Sequence, residues 1–89
     1  MSKGEISWKG RFDDGRKRQA YAKKIGKDWH FFDREQRYDS WDEVEKPSLD
    51  DWLTLLDGVE RRMQRDRIPE AEWARLKNKI QELYPEAEL

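Results

Sequence analysis

The pattern of apolar and polar positions divides the chain into a first half with strand periodicity and a second half with helical periodicity. From Glu5 to Phe12, apolar and polar side chains alternate, and Ile6, Trp8 and Phe12 share one side. Alternation with a period of two is typical of a β-strand that buries one face. The pattern therefore predicts a first strand over residues 5–12.

A turn at Asp14-Gly15 predicts a hairpin and a second strand over residues 16–25. Asp and Gly tolerate the positive φ angles of a two-residue type I′ turn, which would pair Asp13 with Arg16 and place Trp8 opposite Tyr21. We prefer this register to a one-residue slip, because it separates two kinds of side chain. The core face then carries Ile6, Trp8, Phe12, Tyr21 and Ile25, and the basic face carries Lys9, Arg11, Arg18, Ala20, Ala22 and Lys24.

The third predicted strand, residues 29–36, has two alternative registers around Gly26. If Ile25 pairs with Trp29, then Trp29 and Phe31 lie on the core face and Phe32 lies on the basic face. A two-residue Gly26-Lys27 loop reverses this assignment. In both registers at least one large aromatic side chain lies among the basic residues.

Between this strand and Pro47, the apolar side chains Tyr38, Trp41 and Val44 recur at every third position. This spacing predicts a short helical turn that begins after Asp39, with a loop as the alternative. Pro47 ends the segment. A segment that folds back here could cover the aromatic side chain of the basic face.

The second half of the chain predicts two helices, over residues 49–66 and 69–83. Ser48 and Asp51 form a variant of the capping box, and Pro69 occupies a favoured first helical position. The apolar side of the first helix comprises Leu49, Trp52, Leu53, Leu56, Val59 and Met63, and that of the second comprises Trp73, Leu76, Ile80 and Leu83. The short connection predicts an antiparallel hairpin.

Together these elements predict an α+β fold with a three-stranded antiparallel meander (5–12, 16–25, 29–36) followed by two helices. We expect the helical hairpin to pack on one sheet face, within a single domain over residues 1–89 whose ends, 1–4 and 86–89, fray. The charged fraction of 44% is high, but the net charge is only −1 and the chain has five Trp, three Phe and three Tyr. Concentrated aromatic area favours a folded protein.

Composition restricts the location and the chemistry. The chain has no cysteine and no apolar leader segment, and its longest apolar cluster, Trp52 to Leu56, is too short to span a bilayer, so we expect a soluble, cytoplasmic protein without a membrane partner. His30 is the only histidine, and the five glycines are scattered. The usual catalytic triads and structural zinc sites draw on His together with other groups such as Cys, and phosphate-binding loops need glycines grouped in one loop. We therefore predict no catalytic residue, no metal site and no small-molecule cofactor.

Surface recognition is the remaining class of function. Residues 1–38 hold 11 Lys and Arg against 6 Asp and Glu, whereas residues 39–89 hold 8 against 14. Aromatic and arginine side chains are frequent interface anchors, so we predict a module for protein–protein interaction or self-association, with a partner that the sequence does not identify. The alternative is single-stranded nucleic acid bound on the basic, aromatic-bearing face. The candidate binding residues are Lys9, Arg11, Arg16, Arg18, Lys24, Phe32 and Trp41.

Overall fold

The computed structural model describes residues 4–89, which form an antiparallel sheet followed by two helices. The strands are β1 (Glu5–Arg11), β2 (Lys17–Ile25), β3 (Asp28–Arg34) and β4 (Asp42–Val44), in the spatial order β1-β2-β3-β4, and the helices are α1 (Leu49–Gln64) and α2 (Glu70–Leu83). The predicted α+β class is confirmed. The chain divides into two compact units, a sheet unit that ends at Pro47 and a helical unit over Ser48–Leu89. The prediction of a frayed start falls, apart from Gly4, outside the described residues.

The first hairpin turns through three residues, so the preferred two-residue turn is wrong by one position. Phe12 N donates to Arg16 O at 2.9 Å, and Gly15 N donates to Phe12 O at 2.9 Å. Gly15 has a φ of 89°, the left-handed conformation that closes a three-residue hairpin loop. Trp8 consequently pairs with Ala20 instead of Tyr21.

The second hairpin turns through Gly26-Lys27, the shorter of the two alternatives, and pairs Ile25 with Asp28. The first hairpin is shifted by one residue from the preferred register, and the second differs by one residue from the alternative that pairs Ile25 with Trp29, so these two differences cancel between β1 and β3. Ile6, Ala22 and Phe31 therefore stand in line across the sheet. Phe31 shares a face with Ile6, and Phe32 lies on the opposite face.

Residues 42–44 form the fourth strand, where we predicted a helical turn or a loop. Val44 pairs with Phe31, and Asp42 pairs with Asp33. The spacing of three residues between Trp41 and Val44 would put both side chains on one face of a helix. In extended chain the same spacing sends them to opposite faces.

The buried face of the sheet comprises Ile6, Ala20, Ala22 and Phe31, each at most 4% exposed. Small and large side chains alternate across the strands, since Ala20 pairs with Trp8 and Ala22 pairs with Phe31. The Trp8 ring meets Phe31 edge to face at a centroid distance of 6.0 Å. This complementarity in size favours the observed register, because Tyr21 in place of Ala20 would overfill the space beside Trp8.

In the helical unit, α1 begins at its predicted cap, where Ser48 Oγ accepts a hydrogen bond from Asp51 N at 3.2 Å. The buried apolar residues are Trp52, Leu55, Val59, Leu76 and Ile80. The predicted apolar side of α1 included Leu56 and omitted Leu55, whereas Leu55 is fully buried and Leu56 is half-buried. α1 and α2 contact each other.

α1 ends in a Schellman motif. Arg67 N donates to Arg62 O at 2.8 Å, Asp66 N donates to Met63 O at 3.0 Å, and Asp66 has a φ of 59°. Asp66 therefore occupies a left-handed position at which glycine is more usual. Within residues 4–89, no helix has both the length and the apolar character needed to cross a membrane.

Candidate functional site

The face of the sheet opposite the buried one carries a cluster of three aromatic rings, and we call it the aromatic face. Side chains alternate along each strand, so the observed registers bring Ser7 of β1, Tyr21 of β2 and Phe32 of β3 into one row. Trp41, just before β4, reaches the same cluster. These rings are only partly shielded from solvent, and Trp41 is 37% exposed.

Tyr21 is at the centre of the cluster. Its ring stacks on Phe32 at a centroid distance of 4.9 Å and an interplanar angle of 18°. The Trp41 ring stands perpendicular to Tyr21, at 90° and 4.7 Å. Stacked and perpendicular contacts are the two favourable arrangements of aromatic pairs, so the rings hold one another in place.

Arg34 fixes the position of Trp41. Its guanidinium carbon lies 4.0 Å from the centroid of the Trp41 ring, within the range of a cation–π interaction. Arg34 Nε donates to Gln19 Oε1 at 2.8 Å, and Arg34 Nη1 donates to Asp39 O at 3.3 Å. These contacts tie the segment before β4 to β2 and β3, and they orient the tryptophan.

A groove of about 240 Å³ opens beside the cluster, lined by Glu5, Ser7, Tyr21 and Trp41. Phe32 stacks on one side of Tyr21, and Ser7, whose side chain is small, is the cross-strand neighbour on the other side. Burial raises the pKa of the Tyr21 hydroxyl, and the negative charge of Glu5 raises it further. Both effects favour the protonated form of the phenol.

Charge is unevenly distributed along the aromatic face. Lys9, Arg11, Lys17 and Arg34 lie towards the first hairpin loop, and the registers place Glu5, Lys23, Asp28 and His30 towards the other end. Glu43 stands opposite Phe32, in the middle row. His30 Nδ1 and Glu43 Oε2 are 3.3 Å apart, and this contact joins the middle row to the second end. The face is thus basic at one end, aromatic in the middle with Glu43 beside the rings, and mixed in charge at the other end.

The structure brings together four of the seven predicted binding residues. Lys9, Arg11, Phe32 and Trp41 lie on the aromatic face. Arg18 and Lys24 do not, because the one-residue shift in the first hairpin moves them to the side of the buried face. Arg18 Nε donates to Asp33 Oδ2 at 3.0 Å, so its charge is used internally.

Arg16 is the seventh predicted residue, and it lies at the first hairpin loop. Its guanidinium pairs with Asp14 at 2.7 Å and with Glu35 at 2.8 Å. The same arginine borders a wider polar cleft of about 440 Å³, together with Phe12, Asp33, Arg34, Glu35, Asp39, Ser40 and Asp42. Three carboxylates of this cleft already have partners: Asp33 binds Arg18, Glu35 binds Arg16, and Asp39 accepts a hydrogen bond from Gln36 N.

Sequence reasoning missed Tyr21, Glu5, Ser7 and Arg34 as members of the site. The preferred register placed Tyr21 on the core face. Glu5 and Ser7 were missed as a consequence, because they join the site only when Tyr21 lies on their face of the sheet. The signal that could have found them is the size of the side chains on β2. Ala20 and Ala22 suit positions beside Trp8 and Phe31, and this leaves Tyr21 for the other face.

No protein-family model, curated protein or solved structure matches this chain. Among residues 4–89, no three His, Asp or Glu side chains are grouped so that they could hold a metal ion. The geometry of the aromatic face is therefore the basis for a functional argument.

Proposed function

We propose that this chain is a non-catalytic interaction module that binds a segment of another protein on its aromatic face. The observation that carries the proposal is the cluster of Tyr21, Phe32 and Trp41, whose rings contact one another and remain partly exposed. Tyr, Trp and Arg dominate the energetics of protein interfaces, and Tyr and Trp bury a large area with little loss of rotamer entropy. A preorganised cluster of this kind lowers the cost of binding further.

The charge of the face favours a protein ligand over single-stranded nucleic acid. Lys9, Arg11 and Lys17 could contact phosphates, and the neighbouring rings could stack on bases. However, the groove beside Tyr21 is lined by the carboxylate of Glu5, and Glu43 stands beside Phe32. A phosphate chain crossing the cluster would meet these negative charges. A peptide can instead place an acidic side chain at the basic end and an apolar or aromatic side chain over the rings.

A display library of random 12-residue peptides tests the proposal. We expect the full chain to select peptides whose affinity falls by about tenfold or more in Trp41→Ala, because this change removes a central anchor. Tyr38→Ala is the matched control, since Tyr38 lies in the same segment, is 80% exposed and contacts no ring of the cluster. The control should bind with unchanged affinity.

NMR titration with a selected peptide locates the surface. We expect the largest shifts at Tyr21, Phe32 and Trp41. The proposal would be contradicted if no peptide is selected, or if the selected peptides bind Trp41→Ala with the same affinity as the native chain. Oligonucleotide-induced shifts at Lys9, Arg11 and Phe32 that fade as salt rises would instead support the nucleic-acid alternative. Concentration-dependent light scattering abolished by Trp41→Ala would identify a second copy of the chain as the partner.

A further inference from the structure

We propose that the groove lined by Glu5, Ser7, Tyr21 and Trp41 binds an unmodified lysine side chain of the partner protein. This inference rests on the function proposed above and specifies one element of the partner. The ammonium would lie against the carboxylate of Glu5, and the four-carbon stem would lie along the aromatic rings. Three independent features of the groove point to this occupant: its walls, its charge and its acceptors.

The walls of the groove suit a cation with an apolar stem. The rings of Tyr21 and Trp41 meet at 90°, so the groove has two aromatic walls at right angles. Lysine side chains cover apolar surface with their stems while the ammonium stays near polar groups. The Trp41 ring already attracts one cation, the guanidinium of Arg34 at 4.0 Å, so its π-surface suits positive charge.

The charge of the groove favours a cation and disfavours an anion. Glu5 carries the only formal charge among the four lining residues. Within residues 4–89, its carboxylate has no ion-pair partner at 4.0 Å or less. Lys23 is the residue directly opposite Glu5 on β2, so it is the internal competitor for this carboxylate. An incoming ammonium would supply a charge that the groove itself lacks.

The acceptors match lysine better than arginine. Glu5, Ser7 and Tyr21 each bring a side-chain oxygen that can accept a hydrogen bond, and an ammonium group has three donors and no acceptor. The planar fork of arginine prefers a bidentate carboxylate in a fixed orientation. The volume of about 240 Å³ also lies below the range of roughly 300–1,000 Å³ that is typical of small-molecule pockets. A single side chain is therefore the appropriate size of ligand.

NMR titration of the full chain with three capped amino acids tests this inference. The probes are the Nα-acetyl N-methylamides of lysine, Nε-acetyl-lysine and norleucine. We expect the lysine probe to shift the Trp41 indole and the Ser7 amide in a saturable way. The two uncharged probes should bind about tenfold more weakly, because they lack the charge-assisted hydrogen bonds. Equal affinity of the lysine and norleucine probes, or no shift with lysine, would overturn the inference.

Variants separate the role of Glu5 from general effects of charge on this face. Glu5→Gln should weaken the lysine probe by about tenfold and leave the norleucine probe unchanged. Glu43→Gln is the matched control, because Glu43 lies on the same face but does not line the groove. Lys23→Ala keeps the groove intact and should raise the affinity for the lysine probe, since it removes the competing cation. Unchanged lysine affinity in Glu5→Gln, or equal losses in Glu5→Gln and Glu43→Gln, would overturn the inference.

Failure of this inference and failure of the proposed function give different results. If the selected 12-residue peptides bind the aromatic face but tolerate replacement of every lysine by norleucine, the interaction function stands and the lysine site is refuted. If no peptide binds the aromatic face, the proposed function itself is refuted. Both proposals are supported if peptides bind and if replacing one peptide lysine by norleucine lowers the affinity for the native chain by about tenfold but leaves the affinity for Glu5→Gln unchanged.

Discussion

Replacement of Trp41 by alanine should destabilise the sheet unit by an amount that the ring contacts predict. The change removes a perpendicular contact with Tyr21, worth ~0.5–1.5 kcal/mol, and a cation–π contact with Arg34, worth ~0.5–1 kcal/mol at a partly exposed site. The sum is ~1–2.5 kcal/mol. A loss of about 1 kcal/mol lowers the Tm of a domain of this size by roughly 4–8 °C. We therefore expect a fall in Tm of at least about 4 °C.

Far-UV circular dichroism in a thermal and a urea series measures this cost without relying on tryptophan fluorescence. Tyr38→Ala is the control, because its side chain is 80% exposed and its removal should change the free energy of unfolding by no more than about 0.5 kcal/mol. Equal costs for the two variants would refute the argument that the ring cluster holds the segment before β4 on the sheet. A cost for Tyr38→Ala above that for Trp41→Ala would refute it as well.

Three further predictions concern the loops and the helix end. Gly15→Ala should lower the free energy of unfolding, measured in urea, by ~1–2 kcal/mol, because φ at this position is 89°. Gly10 is the control: its φ is not positive and a Cβ there would meet open space, so Gly10→Ala should lower the free energy of unfolding by less than about 0.5 kcal/mol. Asp66→Asn should raise the free energy of unfolding by ~0.3–1 kcal/mol, since it removes a negative charge at the end of α1 and suits the left-handed φ of 59°. Hydrogen bonding to Arg16 N holds the pKa of Asp14 below its ordinary 3.8, with a further contribution from the Arg16 guanidinium. A carboxyl NMR titration should show this lowered pKa. The stabilisation from Asp14 is present above pH 3.8 and should be lost as the pH falls through the lowered pKa of the folded protein.

The elements of this fold were largely predictable, because their signals are local. Period-two alternation located β1, and the turns at Asp14-Gly15 and Gly26 located β2 and β3, all to within about two residues. The cap at Ser48 located the start of α1. β4 was missed because three residues are too few to show a period. Its formation depends on the pairing of Val44 with Phe31 across β3, which is a tertiary contact.

The registers were not predictable from the turn residues alone. Asp14-Gly15 is compatible with a two-residue loop and with the final two positions of a three-residue loop, because glycine adopts positive φ in both. The rule that separated basic from apolar side chains then selected the wrong register. Side-chain packing favours the observed register, because Ala20 and Ala22 provide the space that Trp8 and Phe31 need. Complementarity of size across strands was a better guide here than segregation of charge.

The aromatic face depends on the register that the first hairpin loop sets. With a two-residue loop that pairs Asp13 with Arg16, Tyr21 would have stood opposite Trp8, and Ala20 and Ala22 would have been on the side of Lys9 and Arg11. With three residues, Tyr21 instead stands beside Ser7 and stacks on Phe32, so that the groove has both an aromatic wall and open space next to it. Deletion of Asp13 leaves Asp14-Gly15 as a two-residue loop between Phe12 and Arg16, which keeps Ser7 opposite Tyr21, so a variant that retains a folded sheet by circular dichroism should retain lysine-probe and peptide binding. Loss of binding in a folded variant would show that the site depends on the loop itself and not on the register that sets Tyr21 beside Ser7.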